Sequence, residues 1–75
     1  MTSINETSSD LCATINGETM RLPPCSIAQL LEKRGLAGKR LAVERNGSIV
    51  PRSLHASTRL VEGDRIEIVV AVGGG

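Results

Sequence analysis

Aromatic residues are missing altogether: the 75 residues contain no Phe, Tyr or Trp. Any core must therefore be aliphatic, and eight Leu, six Ile and six Val are there to build it. The same lack removes the stacking platforms that hold single-stranded nucleic acids. One-signed charge is missing too. Nine Lys plus Arg stand against eight Asp plus Glu, a net charge of +1, with no block of either sign. Phosphate-backbone binding leaves a basic stripe, and none is visible. No apolar run approaches the roughly 20 residues that cross a bilayer. The opening "MTSINETSSD" lacks the basic start and apolar centre of a secretory signal, so a cytosolic protein is expected.

Cysteine is scarce, with only Cys12 and Cys25 at a spacing that fits no zinc or redox motif. In a reducing compartment both are expected as free thiols. The acidic residues are scattered singly, so no metal cluster or carboxylate pair stands out. Phosphate-loop glycine patterns are absent. His55 is the one histidine, with no Ser or Cys placed as a nucleophile beside it, and a surface or packing role is expected. Cys25, just ahead of a helix start, keeps open a reading as a small thiol enzyme, since helix N-termini lower thiol pKa values. The length allows one small domain. Such a chain buries only roughly 60% of its unfolded surface, so a partner would add stability by mass action.

What is present has clear order. Residues 1–10 are polar and read as a flexible N-terminal tail. "LCATI" alternates, with Leu11, Ala13 and Ile15 on one face, as a half-buried strand does. Asn16-Gly17 supplies a tight turn into "TMRL", with Met20 and Leu22 inward. Pro23-Pro24 ends that strand. "SIAQLLEKRGL" has the parts of a short helix. Ser26 and Gln29 form a capping box, Ile27, Leu30 and Leu31 share a face, and Gly35 can stop the helix with Leu36 folding back on Leu31. Asn46-Gly47 marks a second hairpin, with Leu41 and Val43 inward. "RSLHAST" reads as irregular or a helical turn pinned by Leu54, and Glu62 to Asp64 as a turn.

"RIEIVVAV" is the last strand, with Ile66, Ile68, Val70 and Val72 on one face. Its long apolar stretch predicts a central place in the sheet, beside and parallel to the first strand. A hairpin, a helix over one face and further strands give an α+β domain over residues 11–72, a β-grasp with a single mixed sheet. The other face of the last strand begins charged, at Arg65 and Glu67, and ends apolar, at Val69 and Ala71. Val69 and Ala71 are either an exposed patch that meets a partner or are covered by a loop.

Residues 73–75 are Gly-Gly-Gly, read as a flexible C-terminal tail. Without Cβ atoms, Gly73 and Gly74 suit a narrow channel, and the Gly75 carboxylate can be placed inside another protein. An α-carboxyl titrates at about 3.3–3.7 and is ionised and unreactive at neutral pH. It becomes an acyl donor only after activation, for example as an adenylate. A frayed end with no role fits the same residues.

In this order, "NGE", "SIAQLLEKRGL", "LAVERNGSIVPRS" and "EGDRIEIVVAVGGG" closely resemble the ThiS family of sulfur carrier proteins in thiamine biosynthesis. The resemblance covers about Leu11 to Gly75, and "NGSIVPR" and the final stretch are its most specific parts. It implies a ubiquitin-like β-grasp that is a protein cosubstrate rather than an enzyme and binds no cofactor itself. A ThiF-like adenylating partner would use ATP and Mg²⁺ to adenylate Gly75. A persulfide from a cysteine desulfurase pathway would turn it into a thiocarboxylate, and a ThiG-like thiazole synthase would take the sulfur. Gly73 and Gly74 carry over as the arm inserted into partners. Cys12 and Cys25 match no required position. Two alternatives keep the fold: a MoaD-like small subunit of molybdopterin synthase, and a ubiquitin-like binding module with a silent tail.

Overall fold

Both hairpins turn on Asn-Gly. The computed structural model describes residues 10–71. In it Asn16 and Asn46 take φ of 51° and 53°, and Gly17 and Gly47 follow at 84° and 87°. Two successive left-handed residues are what a type I′ turn requires. The first turn joins β1 (Leu11–Ile15) to β2 (Glu18–Leu22), and the second joins β3 (Leu41–Arg45) to β4 (Ser48–Ile49). Each Asn also grips the last strand, β5 (Asp64–Val70). The Asn16 N–H donates to Ile66 O at 2.8 Å, and its Oδ1 accepts from the Ile68 N–H at 2.7 Å. The Asn46 N–H donates to Arg65 O, and its Oδ1 accepts from the Arg65 N–H. The turns therefore clamp β5 from both sides.

The strand order is β2-β1-β5-β3-β4, with β5 parallel to β1 and antiparallel to β3. This is the expected mixed sheet with the last strand at its centre. The register sets Ala13, Ile15, Val43, Ile66 and Ile68 on one buried face. Helix α1 (Ile27–Lys33) closes that face with Ile27, Leu30 and Leu31.

The helix is short, and both of its ends are capped. Ser26 Oγ accepts from the Gln29 N–H, while the Ser26 N–H donates to Gln29 Oε1. The Ile27 and Ala28 N–H groups donate to the carbonyls of Thr58 and His55, so the first turn has no orphan donors. At the far end Gly35 takes φ 73°, Leu36 N–H reaches Leu31 O and Gly35 N–H reaches Glu32 O. That pair of bonds is a Schellman motif. Replacing Ser26 with Ala is expected to cost about 1 kcal/mol. Urea unfolding checks it, as a lower midpoint with an unchanged slope.

The segment after Pro51 holds the expected helical turn but not the expected anchor. It opens as a 3-10 turn at Arg52–Leu54, but Leu54 is 47% exposed and pins nothing. His55 and Leu60 are the buried residues. His55 turns inward because its Nε2 meets Val50 O at 3.0 Å; a carbonyl only accepts, so Nε2 carries the proton. The Leu60 N–H donates to Cys25 O, and a bridge between Ser26 and Arg59 straps the segment to the helix start. Val70 also departs from expectation at 38% exposed, because the seven-residue helix leaves the sheet end by Leu41 and Val70 only partly covered. Val72, residues 1–9 of the expected N-terminal tail, and Gly73, Gly74 and Gly75 lie outside the described residues. Among those described, no helix is long and apolar enough to cross a membrane.

Candidate functional site

β5 leaves the sheet beside the start of β3. Leu41 pairs with Val70, and one residue on, the Ala71 N–H donates to Arg40 O at 2.9 Å. That bond is the last described anchor of the chain, and Gly73, Gly74 and Gly75 follow it in the sequence. On the outer face, away from the helix, Val69 is 66% exposed. Ala71 and Ala42, the latter opposite Val69, are exposed as well. The three form a small apolar surface at the base of the glycine segment. Further along the same face Glu44 stands opposite Glu67. Like charges directly opposed destabilise a strand pair, so both carboxylates stay hydrated.

The remaining sequence candidates do not gather there. Cys25 is buried in the core beneath the start of α1. Cys12 is half-buried on β1, with Arg21 Nη1 at 3.8 Å from its Sγ across the β1–β2 pair. His55 is committed to Val50 O and has the packing role. No group of three or more His, Cys, Asp or Glu is arranged to hold a metal among the described residues.

Sequence reading passed over one polar residue. Asp64, treated as part of a turn, is the buried first residue of β5. Its carboxylate accepts from Arg45 Nε at 3.0 Å, Asn46 Nδ2 at 3.1 Å and the Val61 N–H at 2.8 Å. The only signal in the sequence was an aspartate directly after a turn glycine, Gly63, whose φ is 86°. This cluster lies at the opposite end of β5 from Ala71 and organises the strand rather than any chemistry.

A five-stranded mixed sheet gripping one helix, with the C-terminal strand central and parallel to the first, defines the β-grasp class of ubiquitin-like domains. Residues 13–75 match the model of the ThiS family, and the chain belongs to that family. The crystal structure of the thiamine biosynthesis protein ThiS from Geobacter metallireducens superimposes with a TM-score of 0.73 at 26% identity, covering 87% of this chain and 100% of that one. A thiazole synthase from Paramagnetospirillum magneticum is 40% identical over 62 residues, which is 81% of this chain but 19% of that protein. The ycf40 protein of Pyropia yezoensis is 37% identical over 68 residues, 89% of this chain and 96% of its own length.

Proposed function

We propose that the protein is a sulfur carrier of thiamine biosynthesis that works through the carboxyl group of Gly75. The carrying observation is the family match, which runs from Ala13 in β1 through the rest of the β-grasp and on to Gly75. A ThiF-like enzyme adenylates the Gly75 carboxylate with ATP and Mg²⁺, releasing pyrophosphate. A persulfide from a cysteine desulfurase pathway then attacks the acyl carbon and AMP leaves. Cleavage of the resulting acyl disulfide by a thiol reductant frees the thiocarboxylate. A ThiG-like thiazole synthase takes that sulfur into the ring. The likeness of this chain to a segment within a thiazole synthase supports that choice of consumer, since it places a carrier-like stretch in the enzyme's own polypeptide.

In this reading the chain is a cosubstrate: ATP and Mg²⁺ are bound by the partner. The division of labour is physical. The domain supplies a rigid base, with β5 clamped by two turns, and Val69, Ala71 and Ala42 are the apolar surface against which a partner seats. Gly73 and Gly74 supply the narrowest cross-section a chain can have, so the acyl carbon of Gly75 reaches a deep site.

Incubation with the adenylating enzyme, ATP, Mg²⁺ and a persulfide source should change the intact mass by one oxygen-to-sulfur exchange at Gly75. Fragmentation locates it. An unchanged mass, while the same enzyme preparation loads another carrier, would leave the chain as a binding module with a silent tail.

A further inference from the structure

Beside the helix, on the side opposite Val69, lies a groove of about 340 Å³. Leu31, Leu36 and Leu41 give it an apolar floor, Lys39 and Arg52 stand in its wall, and among the described residues no Asp or Glu lines it. We propose that this groove seats an acidic segment with an aliphatic side chain at its tip, carried by the enzyme that receives the C-terminal arm. The inference rests on the reading that the arm enters such an enzyme.

Charge is the first argument. Lys39 and Arg52 line the groove, and Lys33, Arg34 and Arg40 lie in the helix end and the loop that leads from it to β3, so five of the nine Lys plus Arg of the chain fall in these stretches against one acidic residue, Glu32. Complementary charge steers encounter and fixes orientation, and it does so best next to a buried apolar anchor. Position is the second. Leu41, in the floor, is paired with Val70, and Arg40, next to it, holds Ala71. Ala71, the last described residue before the arm, is therefore anchored beside the rim of the groove, within reach of a segment of the protein that receives the arm. Preorganisation is the third. Arg52 Nη2 donates to Lys39 O at 2.8 Å, His55 is fixed on Val50 O, and the Schellman turn holds Leu36. Walls already ordered lose little entropy when a segment enters.

Two exposed positions test this without entering the core: Lys39→Glu reverses a wall charge, and Ala56→Leu fills the groove. Adenylation by the ThiF-like enzyme is followed as pyrophosphate release against carrier concentration. Both variants should keep the wild-type unfolding midpoint and kcat while KM rises, about tenfold for Lys39→Glu. The Lys39→Glu defect should shrink as salt is added, and the Ala56→Leu defect should not. Wild-type KM in both variants overturns the proposal. A lower KM in both would put the chain's own C-terminal arm in the groove and overturns it as well. So would a concentration-dependent dimer in sedimentation that Ala56→Leu abolishes, which would seat a second copy there. Absence of adenylation in the wild-type protein is a different failure, because it removes the sulfur-carrier reading itself and the inference with it.

Discussion

A chain shortened by Gly74 and Gly75 accepts no sulfur, yet unfolds at the same denaturant concentration as the full-length protein. Both halves follow from what each part of the chain supplies. The buried cluster runs from Leu11 to Ile68, and the last described backbone bond is made by Ala71. The truncation removes two residues without side chains and no member of that cluster, so core, caps and clamps are expected to stay intact. The chemistry, by contrast, sits on one acyl carbon. Two residues of extended chain span about 7 Å, so the new Gly73 carboxylate stops that far short of the nucleotide. Displacement of a reacting group by a single ångström can cost about a hundredfold. The loss should therefore be complete in an intact-mass assay, not partial. A truncated chain that still gains sulfur would move the acceptor away from the C-terminus. One with a lowered midpoint would show the glycine segment packing on the domain.

Most of the architecture was legible because its instructions are local. Asn16-Gly17 and Asn46-Gly47 name their turns. Ser26 and Gln29 cap the helix start, and Gly35 with Leu36 stops it, within a dozen residues. The alternation of Ile66 and Ile68 with Arg65 and Glu67 gives the buried face of β5. The central, parallel position of β5 follows by exclusion, since the two ends of the chain cannot meet in a hairpin. What escaped reading depends on distant partners. Asp64 finds Arg45 at 19 residues' separation, and the turn glycine before it is too common a signal to announce a buried carboxylate. His55 has the packing role that was one of the two expected, because the nearby Val50 carbonyl accepts a hydrogen bond from its Nε2–H; it is Leu54, the better hydrophobe, that points outward from the 3-10 turn against expectation. That the turn asparagines also bond β5 through their Oδ1 atoms was equally hidden, for the bond from Ile68 to Asn16 spans 52 residues. The glycine arm itself was legible as a motif, and its role came from resemblance, since no described side chain supplies chemistry.

Asp64→Ala is expected to lower stability by about 3 kcal/mol, as much as emptying a buried aliphatic position of the core. The carboxylate side chain is 5% exposed and its Arg45 partner 31%. Removing it strands three donors at once: Arg45 Nε, Asn46 Nδ2 and the Val61 N–H. Breaking a buried ion pair from one side costs about 3–5 kcal/mol, and the lower end applies because water still reaches Arg45. A small domain has only about 0.05–0.15 kcal/mol of stability per residue, so the loss takes a large part of the total. Asp64→Asn should do little better, since its amide N–H₂ would face donors. A cycle with Arg45→Met isolates the pair, and its coupling should be on the order of 1 kcal/mol or more. Hydrogen exchange should accelerate first at Asn46 and Arg65, whose amides lie at the loosened end of β5, before it rises at Ala71. Sulfur acceptance by the folded fraction should be unchanged, because the cluster and the arm occupy opposite ends of one strand. A midpoint shift worth less than about 1 kcal/mol would mean that the three bonds only offset the cost of burying the charge. In that case the two asparagine clamps, not Asp64, would be what fixes β5 between β1 and β3.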